Sequence, residues 1–170
     1  MGDVQTFMFD DDGKIPNNPA LPLLIYVAAL PESLSPASDC RALFARNGWD
    51  GSWIDGIYDY HHFHSTAHEV LGIAAGSAEV QFGGEQGKVI QLNARDVAVI
   101  PAGVGHCNLG QSVDFKVVGA YPKGQEKWDV CTGKPGERPI VLENICHVAL
   151  PIADPVSGEG GPLMRLWQAD

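Results

Sequence analysis

Histidine is concentrated in one short stretch of the chain. Four of the six histidines fall within "HHFHSTAHE", residues 61–69, which ends in Glu69. Imidazole is the commonest metal ligand in proteins, and it also titrates near neutral pH. Two imidazoles and one carboxylate on the same side form a donor set that leaves open positions on a transition metal. The stretch therefore predicts a metal site that can also bind a ligand.

A helix over residues 61–69 would make His64 and His68 neighbours, because side chains four positions apart share a helix face. The zinc-protease pattern H-E-x-x-H uses that spacing. Here His68 is followed by glutamate, but Gly72 stands where the second histidine would be. Glycine also weakens a helix. A strand is therefore the preferred prediction.

In a strand, alternate side chains share a face. His62 and His64 then lie on one face together with Tyr58 and Tyr60. After a turn at residues 65–67, Glu69 of the next strand would reach the same side. A hairpin of this kind predicts two imidazoles and one carboxylate around a common point.

A further donor has to come from a distant part of the chain. The segment "PAGVGH" supplies His106 just after a predicted strand. His61 and His68 are out of phase with the other donors, so we expect them at the surface or in contact with a metal-ligating side chain. Cys107 is expected in the core. The alternative is a group of ordinary core or surface histidines, but the in-phase H-x-H pattern and the glutamate favour a metal site.

Composition limits the classes of partner. The chain has 170 residues, which is typical of one domain that needs no structural metal to fold. Its formal net charge of −10 would repel nucleic acid. No apolar run of about 18 residues and no basic leader is present, so neither a membrane span nor a signal peptide is expected. Four cysteines without CxxC spacing indicate reduced thiols in a cytoplasmic protein.

Short apolar runs separated by Gly or Pro predict an antiparallel sandwich or barrel. One helix is expected over residues 38–49, and "GGEQG" at 83–87 predicts a hairpin turn. Strands are expected at 4–9, 23–30, 53–64, 69–76, 78–82, 88–92, 96–101 and 115–121, and in the tail at 140–150 and 162–167.

The pattern around the histidines resembles the first motif of the cupin superfamily, which reads G, five residues, H-x-H, three or four residues, E, six residues, G. Every position is matched, namely by Gly56, His62, His64, Glu69 and Gly76. The second motif reads G, five residues, P-x-G, two residues, H, three residues, N. It is matched by Pro101, Gly103 and His106. Arg95 replaces its first glycine and Gly110 its final asparagine, with Asn108 two residues earlier.

The resemblance implies an all-β fold, a double-stranded β-helix (jelly-roll) cupin barrel with one short helix and extended termini. The flanks "DDGKIPNNPALPLLIY" and "FKVVGAYP" resemble a bacterial branch of single-domain, RmlC-like cupins, the YjlB-like proteins. On this basis residues 1–22 form an N-terminal strand and loop and residues 23–150 form the barrel. Residues 151–170 form an extension that packs on the barrel or on a partner subunit. A homodimer is expected, since cupin barrels commonly pair.

The resemblance also implies one divalent metal ion, either Fe, Mn, Ni, Zn or Co. Its implied ligands are His62, His64, Glu69 and His106. Inward-facing neighbours in the barrel mouth are expected to be Tyr58, Tyr60, Asn108 and Tyr121. No catalytic residue is assigned from the sequence.

Three functions are compatible with such a site. The first is a metal-dependent enzyme that acts on a small polar metabolite as a dioxygenase, an isomerase or a lyase. The second is a non-catalytic module that binds or senses a small molecule. The third is metal-free epimerisation of a sugar nucleotide, which needs an acid and a base rather than a complete ligand set. The complete set of four donors favours the first.

Overall fold

A computed structural model describes residues 2–32 and 37–168 of the chain. The strands in this part are β1 (Val4–Phe7), β2 (Leu23–Tyr26), β3 (Trp49–Asp55), β4 (Glu69–Ala75), β5 (Ser77–Phe82), β6 (Lys88–Asn93), β7 (Val97–Ile100), β8 (His106–Gln111) and β9 (Lys116–Pro122). They form two sheets in which each strand is antiparallel to its neighbours. The first sheet has the order β1, β2, β7, β4, β9, β3, and the second has the order β6, β5, β8.

The four central strands of the six-stranded sheet, β2, β7, β4 and β9, are buried on both faces. Because alternate residues of a strand point to opposite faces, Leu24 and Tyr26 of β2 enter an outer core, whereas Leu23 and Ile25 enter an inner core between the two sheets. Strand β7 divides its residues between the two cores in the same way. Burial on both sides explains why these strands read as unbroken apolar runs.

The three-stranded sheet covers the inner core. Strands β5 and β6 form the predicted hairpin, in which Phe82 pairs with Lys88. Gly83 and Gly84 in the turn have φ values of 91° and 87°, which glycine adopts without steric cost. Strand β5 also pairs with β8, which joins the hairpin to the rest of the sheet. Two facing antiparallel sheets with these crossovers form a jelly roll, and the predicted cupin-type β fold is confirmed.

The predicted helix at residues 38–49 is present but ends earlier. Helix α1 spans Ala37–Arg46. Gly48, with φ of 81°, lies just after it and turns the chain. The sequence predicted that Trp49 would be the last residue of the helix. Trp49 is instead the first residue of β3 and is fully buried.

The predicted strands at residues 140–150 and 162–167 are wrong. Both segments are helical, as α2 (Ile140–His147) and α3 (Pro162–Leu166). The buried residues of α2, Val141 and Ile145, are four positions apart, which is the period of a helix. The fold therefore has more than the one helix that was expected. Within the described residues, no helix is long and apolar enough to cross a membrane.

The predicted strand at residues 53–64 also ends early. Strand β3 stops at Asp55, and residues 56–68 lie outside the named strands. Two isolated β-bridges, at His62 and Phe63, still keep part of this segment extended. The H-x-H pair therefore lies in a bridged segment at the end of the barrel.

Candidate metal centre

The segment that carries His62 and His64 is held from two sides. The backbone N–H of His62 donates to the carbonyl of His106 at 3.2 Å, and the N–H of His106 donates back at 2.9 Å. Phe63 and Cys131 exchange a similar pair of hydrogen bonds, both at 2.9 Å. Phe63 is fully buried in a small core of its own. The alternation predicted for a strand therefore survives, with the two histidines on the side opposite Phe63.

Three imidazoles converge at this place. Ring nitrogens of His62, His64 and His106 lie within 4.8 Å of one another, and all three residues are at most 5% exposed. Glu69, the first residue of β4, approaches two of them. Its Oε2 lies 3.2 Å from Nε2 of His64, and its Oε1 lies 3.3 Å from Nε2 of His106. The structure thus brings three of the expected ligands, His62, His64 and His106, around one point and places the fourth, Glu69, beside two of them.

Backbone carbonyls set the tautomer of all three imidazoles. Nδ1 of His62 lies 2.9 Å from the carbonyl of Tyr60, and Nδ1 of His106 lies 3.1 Å from that of Val104. Nδ1 of His64 lies 2.5 Å from the carbonyl of Asp129. A carbonyl oxygen only accepts, so each Nδ1 carries the proton that is donated. In the neutral ring, Nε2 is then the lone-pair nitrogen, as a metal ligand requires.

The electrostatics of the centre call for a positive charge. A neutral Nε2 and a carboxylate oxygen are both acceptors, so their contacts of 3.2 and 3.3 Å require a proton or a cation between them. Burial opposes charge on His64, but the carboxylate of Glu69 outweighs it and raises the histidine pKa. Burial likewise opposes charge on Glu69, but His64 and His106 hold its pKa below the usual range. A divalent cation fits this buried donor set.

His62 differs from His64 in its charge state. Burial, followed by the neighbouring ring of His106, lowers the pKa of His62 to about 3. The two rings have centroids 4.0 Å apart. His62 is therefore neutral at physiological pH, with its Nε2 lone pair available.

Asp129 fixes His64 in position and was not identified from the sequence. Its backbone carbonyl accepts from His64, and its side chain binds Ser65 twice. Oδ1 accepts from the N–H of Ser65 at 2.7 Å, and Oδ2 accepts from the hydroxyl of Ser65 at 2.5 Å. The side chains of Thr66 and Cys131 donate to the same carboxylate. Burial opposes ionisation, but these hydrogen bonds outweigh it and lower the pKa of Asp129. Asp129 lies 65 positions from His64 in the chain, and no local motif marks it.

Tyr121 lies against Glu69 through a short hydrogen-bonded chain. Its hydroxyl donates to Oε2 of Glu69 at 2.9 Å and accepts from Nε1 of Trp53 at 2.7 Å. Burial, and then the carboxylate, raise the pKa of Tyr121, so the hydroxyl keeps its proton. Gly119, which pairs with Trp53, leaves room for the indole, since an added Cβ would lie 2.2 Å from that ring.

The centre opens on a cavity of about 680 Å³. His64, Glu69 and His106 form part of its lining, together with Tyr58 and Tyr121. Trp53 and Trp128 also line it, and neither was expected there. Such a volume is typical of small-molecule sites.

Two of the predicted mouth residues lie outside the described lining of this cavity. Tyr60 stacks on Tyr58, with ring centroids 5.0 Å apart, and is 44% exposed. Asn108 is buried and donates to Oε1 of Gln111 at 2.7 Å and to the carbonyl of Ile57 at 3.4 Å. Asn108 therefore ties β8 to the loop that carries Tyr58.

The remaining histidines lie elsewhere. His61 points to a separate small cleft, which Asp12 and Lys14 also line. His68 is not at the surface, because it is 1% exposed and packs on Trp167 with centroids 4.8 Å apart. Cys107 is 4% exposed, in agreement with its expected place in the core.

Arg95 occupies the turn where the cupin motif has glycine. Its backbone adopts φ of 80°, so the left-handed conformation is kept without a glycine. Its Nε donates to the carbonyl of Leu30 at 2.7 Å, which ties the turn to the end of the neighbouring segment. The departure from the motif lies in this turn and leaves His106 in place.

No family model matches the chain. Protein YjlB of Bacillus subtilis (strain 168), described as uncharacterized, is 44% identical over 165 residues, which is 97% of either chain. Identity at this level over nearly the whole length shows a common family.

Solved structures align less closely. Acireductone dioxygenase from Bacillus anthracis, with a cadmium ion in its active center, covers 72% of this chain and 79% of its own at 14% identity, with a TM-score of 0.40. RmlC epimerase from Legionella pneumophila covers 71% and 72% at 12% identity, with a TM-score of 0.38. The 11S allergen from Cocos nucifera covers 58% of this chain and 29% of its own at 18% identity, with a TM-score of 0.41.

TM-scores this low support no functional inference. The fold assignment rests on the two antiparallel sheets and on the convergence of the motif residues at one end of the barrel. The family assignment rests on the relation to YjlB. On these grounds the chain belongs to the same family as YjlB and has a cupin-type jelly-roll fold.

Proposed function

We propose that the protein binds one divalent metal ion through His62, His64, His106 and Glu69, and that it is an enzyme acting on an oxygen-bearing small molecule. The observation that carries the proposal is the tautomer of the three imidazoles. Each Nδ1 is committed to a backbone carbonyl, so three Nε2 atoms are free for one ion. Fe, Mn, Ni, Zn and Co all suit mixed imidazole and carboxylate ligands.

A bound ion would polarise a ligand oxygen as a Lewis acid and lower the pKa of bound water, and a redox-active ion such as Fe would also allow oxygen chemistry. The surrounding residues supply orientation. Asp129 holds the imidazole of His64, and Tyr121 holds one oxygen of Glu69 through its hydroxyl proton. The cavity beside them admits a small molecule to the same point.

A non-catalytic binding module would use the same cavity. Turnover separates the two functions, because a binding module returns its ligand unchanged. The enzyme proposal is favoured by the donor set, because three imidazoles and one carboxylate leave positions on a bound ion open to a reacting molecule in the cavity.

The proposal is tested by plasma mass spectrometry on untagged protein purified without a chelator. The expected result is near-stoichiometric divalent metal in the natural chain and background metal in His106→Ala. Oxygen uptake and product analysis with diols and keto acids would then test for turnover. Absence of metal, with none taken up after incubation with Fe²⁺, Mn²⁺, Ni²⁺, Zn²⁺ or Co²⁺, would reject the proposal.

A further inference from the structure

The cavity beside the metal centre has three levels of different chemistry. Its floor is the buried donor cluster, represented in the lining by His64, Glu69 and His106. Its outer edge carries the exposed side chains of Asp55, Gln111 and Lys116. Much of the remaining lining is apolar, and we call the following residues the apolar belt: Trp53, Ile57, Leu71, Phe115, Tyr121 and Trp128. A ligand that fills the cavity therefore contacts this belt as well as the floor.

Aromatic rings dominate one side of the apolar belt. Trp128 stacks on Tyr121 with centroids 5.4 Å apart and an interplanar angle of 24°. The same indole meets the ring of His64 edge-on at 5.1 Å. Trp53 joins this side through its hydrogen bond to Tyr121. Offset-stacked and edge-on contacts of this kind are the arrangements that aromatic rings prefer.

Two polar groups of the cavity lining already have partners. The hydroxyl of Tyr121 is engaged by Trp53 and Glu69, and Oε1 of Gln111 accepts from Asn108. A ligand with hydroxyl groups on every side, such as a sugar, would leave several of them facing apolar side chains without partners. Polar groups buried in this way lose their hydrogen bonds to water without replacement. The cavity therefore fits a molecule that is polar at one end and apolar along its body.

We propose that the ligand of this cavity is an aromatic compound that carries adjacent oxygen donors, such as a hydroxyl beside a carboxylate. Its ring lies against the apolar belt and its oxygens reach the floor. This inference rests on the proposed function, because the oxygens need a metal ion there to bind. It narrows the expected polar metabolite to one whose polar atoms are grouped at a single end.

Two ligands that differ only in the ring test the inference. Mandelate and lactate share the same 2-hydroxycarboxylate group, but mandelate has a phenyl ring where lactate has a methyl group. Their dissociation constants can be measured by calorimetry on Mn²⁺-loaded protein, with quenching of the intrinsic tryptophan fluorescence as a second readout. We expect mandelate to bind at least about tenfold more tightly.

A matched pair of variants locates the preference. Trp128→Leu keeps an apolar side chain but removes the ring, and we expect it to weaken mandelate several-fold while lactate is unchanged. Phe9→Leu makes a comparable change at a residue that is not among those lining the cavity, and it should alter neither ligand. Circular dichroism and Mn²⁺ uptake check that each variant is folded and loaded.

The failure of this inference differs from the failure of the proposed function. Equal binding of the two ligands, tighter binding of lactate, or no binding of either ligand by protein that has taken up Mn²⁺ would overturn the aromatic ligand alone. A Trp128→Leu variant that weakens both ligands equally would also overturn it. Protein that takes up no metal would overturn the proposed function, together with the inference that depends on it.

Discussion

His64 and His68 are four positions apart in the chain, and both are buried, yet their surroundings differ. Nδ1 of His64 donates to the carbonyl of Asp129, whereas Nδ1 of His68 accepts from the N–H of Ala102 at 2.9 Å. His64 therefore has its lone pair at Nε2, beside Glu69. His68 has its proton at Nε2, because its Nδ1 accepts, and its ring packs on Trp167.

The contrast shows what turns a buried histidine into a candidate ligand. Burial alone does not distinguish the two residues, since they are 5% and 1% exposed. The direction of the backbone hydrogen bond at Nδ1 decides which nitrogen is free. Around His64 two more imidazoles have the same arrangement, whereas His68 belongs to the outer side of the sheet, where Trp167 packs in the apolar core.

The largest expected effect separates the two environments directly. We expect His106→Ala to lower metal affinity by more than about 100-fold. Mutation of a residue that only hydrogen-bonds to a metal ligand already costs about 10–100-fold, and loss of a ligand itself should cost more. His68→Gln should keep full metal content, since its amide oxygen can still accept from Ala102. His61→Ala should also keep it. Plasma mass spectrometry measures the metal, and circular dichroism should show that all three variants stay folded.

Loss of the metal in His68→Gln, with the fold intact, would erase the distinction between the two environments. Unfolding of His106→Ala would instead show that the centre is structural.

The next effect concerns the side of the sheet that holds His68. Trp167 is 2% exposed, and its Nε1 donates to the carbonyl of Pro22 at 2.9 Å. Trp167→Ala should lower the free energy of unfolding by about 3–5 kcal/mol, as expected for a buried tryptophan. Urea titration measures this loss. The folded protein should still bind one metal ion, and a matching loss of metal affinity would show that the two regions are coupled.

A smaller effect is expected at the residue that positions His64. Asp129→Ala removes the carboxylate that holds Ser65 and Thr66 but keeps the backbone carbonyl. We expect metal affinity to fall by about 10–100-fold, as measured by competition with a chromogenic chelator. Asp129→Asn should recover part of the loss, because its amide oxygen can accept from the N–H of Ser65. The exposed Glu79→Ala is the control, and an unchanged affinity in Asp129→Ala would contradict the positioning role.

The smallest effect is a pH dependence of stability. Burial lowers the pKa of His68 to about 3, whereas the unfolded value is about 6.5. The unfolded chain therefore takes up the proton first, so the stability due to neutral His68 is present above pH 6.5 and is lost as the pH falls toward 3. Between pH 7 and 5.5 the loss is about 1 kcal/mol.

In His68→Gln, the free energy of unfolding should fall by about 1 kcal/mol less between pH 7 and pH 5.5 than in the natural chain, as measured by urea titration at both pH values. His147→Gln, at an exposed histidine, is the matched control. An unchanged slope in His68→Gln would show that His68 is not held neutral by the fold.

The sequence predicted the barrel better than the tail. Strands with Gly or Pro punctuation, such as the hairpin around residues 83–87, are encoded by local turn chemistry. In contrast, the apolar run at residues 140–150 fits both the two-residue period of a strand and the 3.6-residue period of a helix. Packing against the rest of the fold makes it helical. The early end of β3 was also missed, because an extended segment outside a sheet keeps the same alternation of side chains.

The candidate site shows the same division. Spacing alone predicted that His62, His64 and Glu69 lie close together, because alternate side chains of an extended segment point to the same side of the chain. The residues that hold and cover them, Asp129 and Trp128, lie in an irregular segment far along the chain. Their position depends on backbone bridges such as that between Phe63 and Cys131, which no local pattern encodes.

The central claim is that backbone carbonyls set three imidazoles to present Nε2 to one metal ion. Nitrogen-15 NMR of the histidine side chains in Zn²⁺-loaded protein tests it most directly, because the two ring nitrogens have distinct shifts. We predict Nδ1–H rings with metal-bound Nε2 for His62, His64 and His106, and a neutral Nε2–H ring without metal for His68. An Nε2–H tautomer in any of the three, or metal bound to His68, would contradict the claim.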